Sequence, residues 1–203
     1  MTSPDGEPKS QLPGLDPAWS RFLTVEDASG QPRRWHVLDT AAGTPTGHPV
    51  ESAEGTLLCV HGNPTWSYLW RRFLAQARPG WRVVAVDQLG MGWSTRQAPA
   101  RRLADRVDDL GRLTAALGIQ GPVVVAAHDW GGLVSMGWAV EHRDLVVGVV
   151  LTNTALFQPL DQPFSALIRL ARTPALRQLV CVTTPTFVRG AAALSRPPLD
   201  LGV

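Results

Sequence analysis

Asp129 closes the apolar run Val123-Val124-Val125-Ala126-Ala127-His128, and Gly131-Gly132-Leu133-Val134-Ser135-Met136 opens a helical pattern directly after it. A run rich in β-branched residues reads as a strand buried on both faces. A strand-to-helix turn this tight drives its central residue into a sparsely populated backbone region. It also leaves no room for bulk two positions to either side, where Ala127 and Gly131 stand. This is the nucleophile-elbow pattern G-x-S-x-G with aspartate in place of serine. The substitution selects the chemistry. A serine attacking an sp3 carbon would form an ether, which water does not readily cleave. A carboxylate forms an ester, which an activated water can open at the acyl carbon. Asp129 therefore points to displacement at a carbon bearing a halide, an epoxide oxygen or a lactone oxygen. The plain alternative is an aspartate that caps the following helix.

A second element with chemical content is His61-Gly62-Asn63-Pro64, which follows the apolar strand Thr56–Val60. In a parallel sheet, loops at the carboxyl ends of neighbouring strands build one site. The backbone N–H groups of Asn63 and Trp130 are the natural oxyanion donors. The Asn63 amide and the Trp130 indole could converge on a leaving group. Pro64 and the size of Trp130 leave simple turn and packing roles open for both. His61 and His128 precede the turn residues and read as structural, and nothing joins His36, His48 or His142 to the elbow. Asp87-Gln88-Leu89-Gly90-Met91-Gly92 has only part of a phosphate-binding glycine pattern, so no dinucleotide site is expected. No cluster has metal-ligand spacing, and neither metal nor cofactor is expected.

The elements that position these residues follow from pattern. Strands are expected over 33–40, 56–60, 81–86, 123–128 and 146–152, alternating with helices over 66–76, 103–117 and from 131 to about 142. Such alternation implies a mostly parallel sheet covered on both sides. Residues 1–20 read as a disordered lead-in, 21–156 as the core, and 157–203 as a proline-punctuated helical segment, with a short helix near 165–172. The 203 residues carry 44% hydrophobic and 18% charged residues and a net charge of +2, with Lys9 the sole lysine. That excludes a basic nucleic-acid-binding stripe. Cys59 and Cys181 are too few for a disulfide framework. Without a signal-like start or a membrane-length apolar run, a cytoplasmic protein is expected.

His61 through Arg71, Asp87 through Ser94 and His128 through Gly132 together resemble the haloalkane dehalogenase branch of the α/β-hydrolase superfamily, over about residues 33–156. The resemblance implies an α/β-hydrolase fold, Asp129 as nucleophile, and Asn63 and Trp130 as leaving-group and oxyanion partners. It makes 157–203 the start of a helical cap and suggests a small hydrophobic substrate. Within the branch, the His-Gly-Asn-Pro-Thr-Trp-Ser stretch looks most like the β-lactone decarboxylases of olefin biosynthesis. Some of those are fused ahead of an acyl-CoA-ligase-like domain. The family's catalytic acid and histidine are expected beyond residue 203. Epoxide hydrolase is the nearest enzyme alternative, although Tyr68, the only tyrosine, lies outside the cap. An inactive truncated module lacking the base is the alternative from another class.

Overall fold

The computed structural model describes residues 12–42, 53–96, 101–157, 166–173, 176, 179, 183–184 and 186–194. Cys181, His48, most of the loop at 41–55 and all the prolines of 157–203 lie outside these residues. Two compact units divide at Leu156 and Phe157.

The first unit is built on six strands, β1 Ser20–Glu26, β2 Pro32–Asp39, β3 Gly55–Val60, β4 Trp81–Val86, β5 Val123–His128 and β6 Val146–Thr152, ordered β1-β2-β4-β3-β5-β6. β3 pairs in parallel with β4 and β5, and β5 with β6. β1 and β2 form an antiparallel hairpin that joins β4. The central strands bury side chains on both sides because helices pack on both. α1 (Arg71–Ala75), preceded by a 3-10 turn at Ser67–Trp70, covers one face through Trp70 and Leu74. α2 (Leu103–Ala116) and α3 (Trp130–Glu141) cover the other. α2 buries Val107, Leu110, Leu113 and Thr114, the spacing of one helical face. Gly118, at φ +63°, lets the chain leave that helix as the sequence suggests. Gly137 admits α2 to α3, since a Cβ there would lie 2.5 Å from Val107 Cγ2.

Two departures from the sequence reading concern the amino-terminal region. The last residues of the expected lead-in belong to the fold: Leu15 and Trp19 pack on the α1-side core, Pro17–Trp19 form a 3-10 turn and Ser20 starts β1. Residues 1–11 lie outside the described residues. No strand is expected ahead of β2, yet β1 pairs along it and supplies the sheet edge. The alternation in Ser20–Glu26 is weak, and pairing with β2 decides it.

In the second unit, α4 (Ala166–Arg172) and α5 (Thr186–Leu194) are helical. No described helix is long and apolar enough to cross a membrane.

Buried ion pairs tie the hairpin to the rest. Asp39 takes both Nε (3.0 Å) and Nη2 (2.7 Å) of Arg82, whose Nη1 caps α2 at the Leu117 carbonyl. Asp27 accepts the backbone N–H of Ser29 and Gln31 and Nε of Arg33 at 2.7 Å, and Arg101 bridges it to Asp109 on α2. Burial alone would raise the Asp27 carboxyl, but the Ser29, Arg33 and Gln31 hydrogen bonds outweigh it and hold it far below the carboxylate range. A group depressed in the folded state contributes stability above its unfolded pKa, about 3.9, and loses it as pH falls through the folded value. The urea midpoint should therefore fall as pH drops from about 5 to about 3. Asp27→Asn should lower the midpoint at pH 7 and flatten that slope.

Candidate active site at the carboxyl ends of the strands

Asp129 sits between β5 and α3 at φ 52°, ψ −127°, a region that L residues other than glycine rarely occupy. Its surroundings hold it there. Thr154 Oγ1 donates to the Asp129 carbonyl at 2.7 Å, the Gly132 N–H to the same oxygen at 2.9 Å, and the Asp129 N–H to the Thr152 carbonyl at 3.3 Å. The glycines around it are required by close approach. A Cβ on Gly131 would lie 2.1 Å from the Val60 carbonyl oxygen, and one on Gly62 would lie 2.3 Å from Asp129 Oδ1. One on Gly132 would meet Thr154 Oγ1 at 2.3 Å. Ala127, the small residue expected on the strand side, is fully buried.

The Asn63 backbone N–H donates to Asp129 Oδ1 at 2.8 Å, so β3's loop and the elbow meet as the sequence pattern suggests. Trp130 is the first residue of α3 and is 47% exposed. Its N–H is among the first-turn amides that a helix cannot satisfy internally, and the helix dipole there favours negative charge. The structure thus gathers Asp129, the Asn63 amide and the α3 amino terminus. No hydrogen bond is formed by the Asn63 side chain or the Trp130 indole among the described residues.

Buried hydrogen bonds hold the Asn63 loop in place. His61 Nδ1 donates to the Gly62 carbonyl at 2.7 Å, and its Nε2 accepts the Gln88 N–H at 3.1 Å. The Gln88 side-chain amide donates to the His61 carbonyl. Burial pushes the His61 pKa down, beyond what the Gly62 bond restores, which keeps the ring neutral with Nε2 free to accept. His61 is structural, as its position implies. Asp87 joins the loops after β3 and β4: it accepts the Ser67 N–H at 2.7 Å, the Trp93 N–H at 2.9 Å and His36 Nδ1 at 2.8 Å. Burial raises the Asp87 carboxyl, but the hydrogen bond and charge of His36 and the Trp93 N–H prevail, leaving it below the usual range. A Cβ on Gly92 would lie 2.1 Å from Asp87 Oδ2, so that glycine serves this carboxylate and not a phosphate.

His36 forms no hydrogen bond to Asp129, but it has a partner that the sequence reading does not supply. It reaches the site's scaffold through Asp87, and its Nε2 lies 3.0 Å from Ser20 Oγ. Sequence reasoning also passed over Asp87 as a tie. Its only signal was an aspartate directly after a buried strand with a glycine five residues on. His142 stacks on Trp138 at 4.6 Å, away from the elbow. No histidine is hydrogen-bonded to Asp129 among the described residues. The described residues also gather no group of three His, Cys, Asp or Glu fit to hold a metal.

Residues 55–178 match the profile of the alpha/beta hydrolase fold family. The chain is 39% identical over 147 residues to a cis-3-alkyl-4-alkyloxetan-2-one decarboxylase of Xanthomonas campestris, covering 68% of this chain and 49% of that protein. It is 36% identical over 149 residues to haloalkane dehalogenase 2 of Mycobacterium tuberculosis, covering 72% of this chain and 48% of the other. The chain thus spans about half the length of these curated relatives. Among solved structures, a haloalkane dehalogenase of Agrobacterium tumefaciens superposes with TM-score 0.67 at 22% identity, covering 89% of this chain and 59% of that one, which attests the shared fold.

The elbow's strain and its close contacts make opposite predictions. Asp129→Gly should raise stability by about 1 kcal/mol, because glycine tolerates the backbone angle. Gly131→Ala should lower it by about 3 kcal/mol, because β3's carbonyl cannot recede. Urea melts of the two variants would check both signs.

Proposed function

The chain belongs to the α/β-hydrolase fold family, and within it we propose that Asp129 is the nucleophile of a haloalkane dehalogenase-like or β-lactone-opening enzyme. The observation that carries this is the elbow itself: Asp129 held at φ 52°, its carboxylate given room by Gly62 and its turn by Gly131 and Gly132, with the Asn63 N–H 2.8 Å from Oδ1. A capping aspartate needs no such backbone, and the Asp129 side chain forms no cap to α3.

In this reading, an Asp129 oxygen attacks the substrate carbon from behind, a carbon–oxygen bond forms, and the carbon–halogen or lactone carbon–oxygen bond breaks. The electron pair leaves as halide or as the ring's carboxylate. Asn63 and Trp130 stabilise that departing charge, and their backbone N–H groups stabilise the oxyanion formed when water later opens the ester. The opening of an oxetan-2-one ring is the preferred chemistry, since the Xanthomonas relative is named for such a substrate. The substrate is small and hydrophobic, residues 157–203 contribute to a cap over it, and the enzyme is cytoplasmic. In the whole protein, a fused acyl-CoA-ligase-like domain would fit the olefin pathway. Epoxide hydrolase is the nearest alternative enzyme; Tyr68, the only tyrosine in these 203 residues, lies outside 157–203 and donates to the Pro13 carbonyl at the surface.

A second reading has its own support. It is the inactive module: among the described residues no histidine is hydrogen-bonded to Asp129, and an elbow without such a base has nothing to activate water. It would then stop at the ester or remain inactive.

Intact-mass and peptide mass spectrometry after exposure to a 1-haloalkane or a cis-disubstituted β-lactone separates these outcomes. The nucleophile reading expects one substrate-derived addition on the peptide containing Asp129, absent from Asp129→Asn. Asn63→Ala and Trp130→Phe should each slow its appearance, by about 100-fold where a donor is fully lost. An unmodified peptide with both substrate types would favour the inactive module.

A further inference from the structure

Away from the elbow, a chain of hydrogen bonds joins Ser20 on β1, His36 on β2 and Asp87 after β4. Ser20 Oγ lies 3.0 Å from His36 Nε2, and His36 Nδ1 lies 2.8 Å from Asp87 Oδ2. Asp87 fixes the tautomer. It is an ionised acceptor that already holds the Ser67 and Trp93 amides, so Nδ1 carries the proton. Nε2 is then the acceptor, and the Ser20 hydroxyl donates to it. This is the order of groups, and the use of the two ring nitrogens, by which a serine is activated as a nucleophile. It is recognised by geometry and not by sequence position. The histidine is also firmly held. Its N–H donates to Ser94 Oγ at 2.9 Å, its carbonyl accepts the Asp87 N–H at 3.0 Å, and the Phe22 ring centre lies 4.9 Å from its own.

A buried histidine needs partners at both ring nitrogens, and a structural tie would account for that much. A tie does not need its donor to face solvent. His36 is 1% exposed, whereas Ser20 is only partly buried and stands on the edge strand. The base is therefore enclosed while the hydroxyl is within reach of a solute. Phe22, on the same face of β1 by strand alternation, and Trp19 are both partly exposed and offer an apolar surface for a ring. The Ser20 N–H is spent on the Pro17 carbonyl, so the serine's own amide cannot serve a forming oxyanion. General-base help alone gives about 10²–10⁴-fold. An oxyanion donor would add a further factor of about 10²–10³. That shortfall restricts the substrate to esters whose leaving group departs readily, as a phenolate does.

We propose that Ser20, with His36 as its base and Asp87 orienting that base, is a second nucleophile that takes the acyl group of small aryl esters. A bond forms between Ser20 Oγ and the ester's carbonyl carbon as the hydroxyl proton passes to His36 Nε2. The carbon–oxygen bond to the aryl group then breaks, and the phenolate leaves with that proton. The products are acyl-Ser20 and a phenol, and release of the acyl group by water is slow for want of the oxyanion donor. Asp129 follows β5, which β2, β4 and β3 separate from β1. The reaction therefore proceeds without the elbow and does not rest on the role of Asp129.

The test treats the Asp129→Asn chain, which lacks the elbow carboxylate, with p-nitrophenyl acetate and maps acetyl groups by peptide mass spectrometry. The expected result is an acetyl group on Ser20, accompanied by a burst of p-nitrophenolate that is absent when Ser20→Ala is added. His36→Asn should slow that burst at least about 100-fold. Should circular dichroism show that His36→Asn does not fold, Ser20→Cys decides instead. A thiol beside a histidine base should react with iodoacetamide at about pH 6 at least about tenfold faster than glutathione does. An unlabelled Ser20, a burst that survives Ser20→Ala, a folded His36→Asn chain that acylates as fast, or a Ser20→Cys chain no faster than glutathione would each reduce Ser20 to a structural tie for His36.

Discussion

The contact of Gly131 with the Val60 carbonyl sets the distance between α3 and β3, and the geometry of the elbow depends on it. A Cβ there would stand 2.1 Å from that oxygen. Because α3 starts hard against β3, the turn between β5 and α3 has no slack, and Asp129 is left at φ 52°. Strain of this kind costs about 1–3 kcal/mol and persists only where the surroundings over-determine it. Here they do: Ala127, Val60 and Val125 are fully buried, and Thr154 and Gly132 bond the Asp129 carbonyl.

A second layer of constraint is polar. Asp87 and His61 lie in almost complete burial, where an unpaired polar atom is costly. Each is fully engaged, Asp87 by two backbone amides and His36, His61 by a carbonyl and an amide. Such networks add little net stability over apolar packing of the same shape. What they supply is position: the Ser67, Trp93 and Gln88 amides are tied to two strands at once, so the loop carrying Asn63 cannot move without breaking them. Arg82 with Asp39, and Arg101 between Asp27 and Asp109, do the same for the hairpin and α2.

Among the described residues, the two edges of the sheet differ. At its β1 side the antiparallel hairpin closes the core, with His36 and Trp35 buried. At its β6 side, three valines stand exposed along a strand with no gatekeeper.

The central strands, α2 and the small residues about Asp129 were legible in the sequence because local periodicity and local sterics specify them. β3 to β6 lie within a residue of where the apolar runs put them, and Gly118 ends α2 as its position suggests. β1 was not legible, since half-exposed alternation in Ser20–Glu26 acquires its meaning only from the β2 register. The reach of His36 to Asp87 was also hidden, because 51 residues separate partners that only the strand order brings together. Sequence alone determined which residue occupies the elbow and which neighbours are small enough to permit it, as these follow from steric limits over a few bonds. Tertiary structure alone decided that the Asn63 amide faces the carboxylate and that Asp87 ties the loops, as these follow from which strands become neighbours.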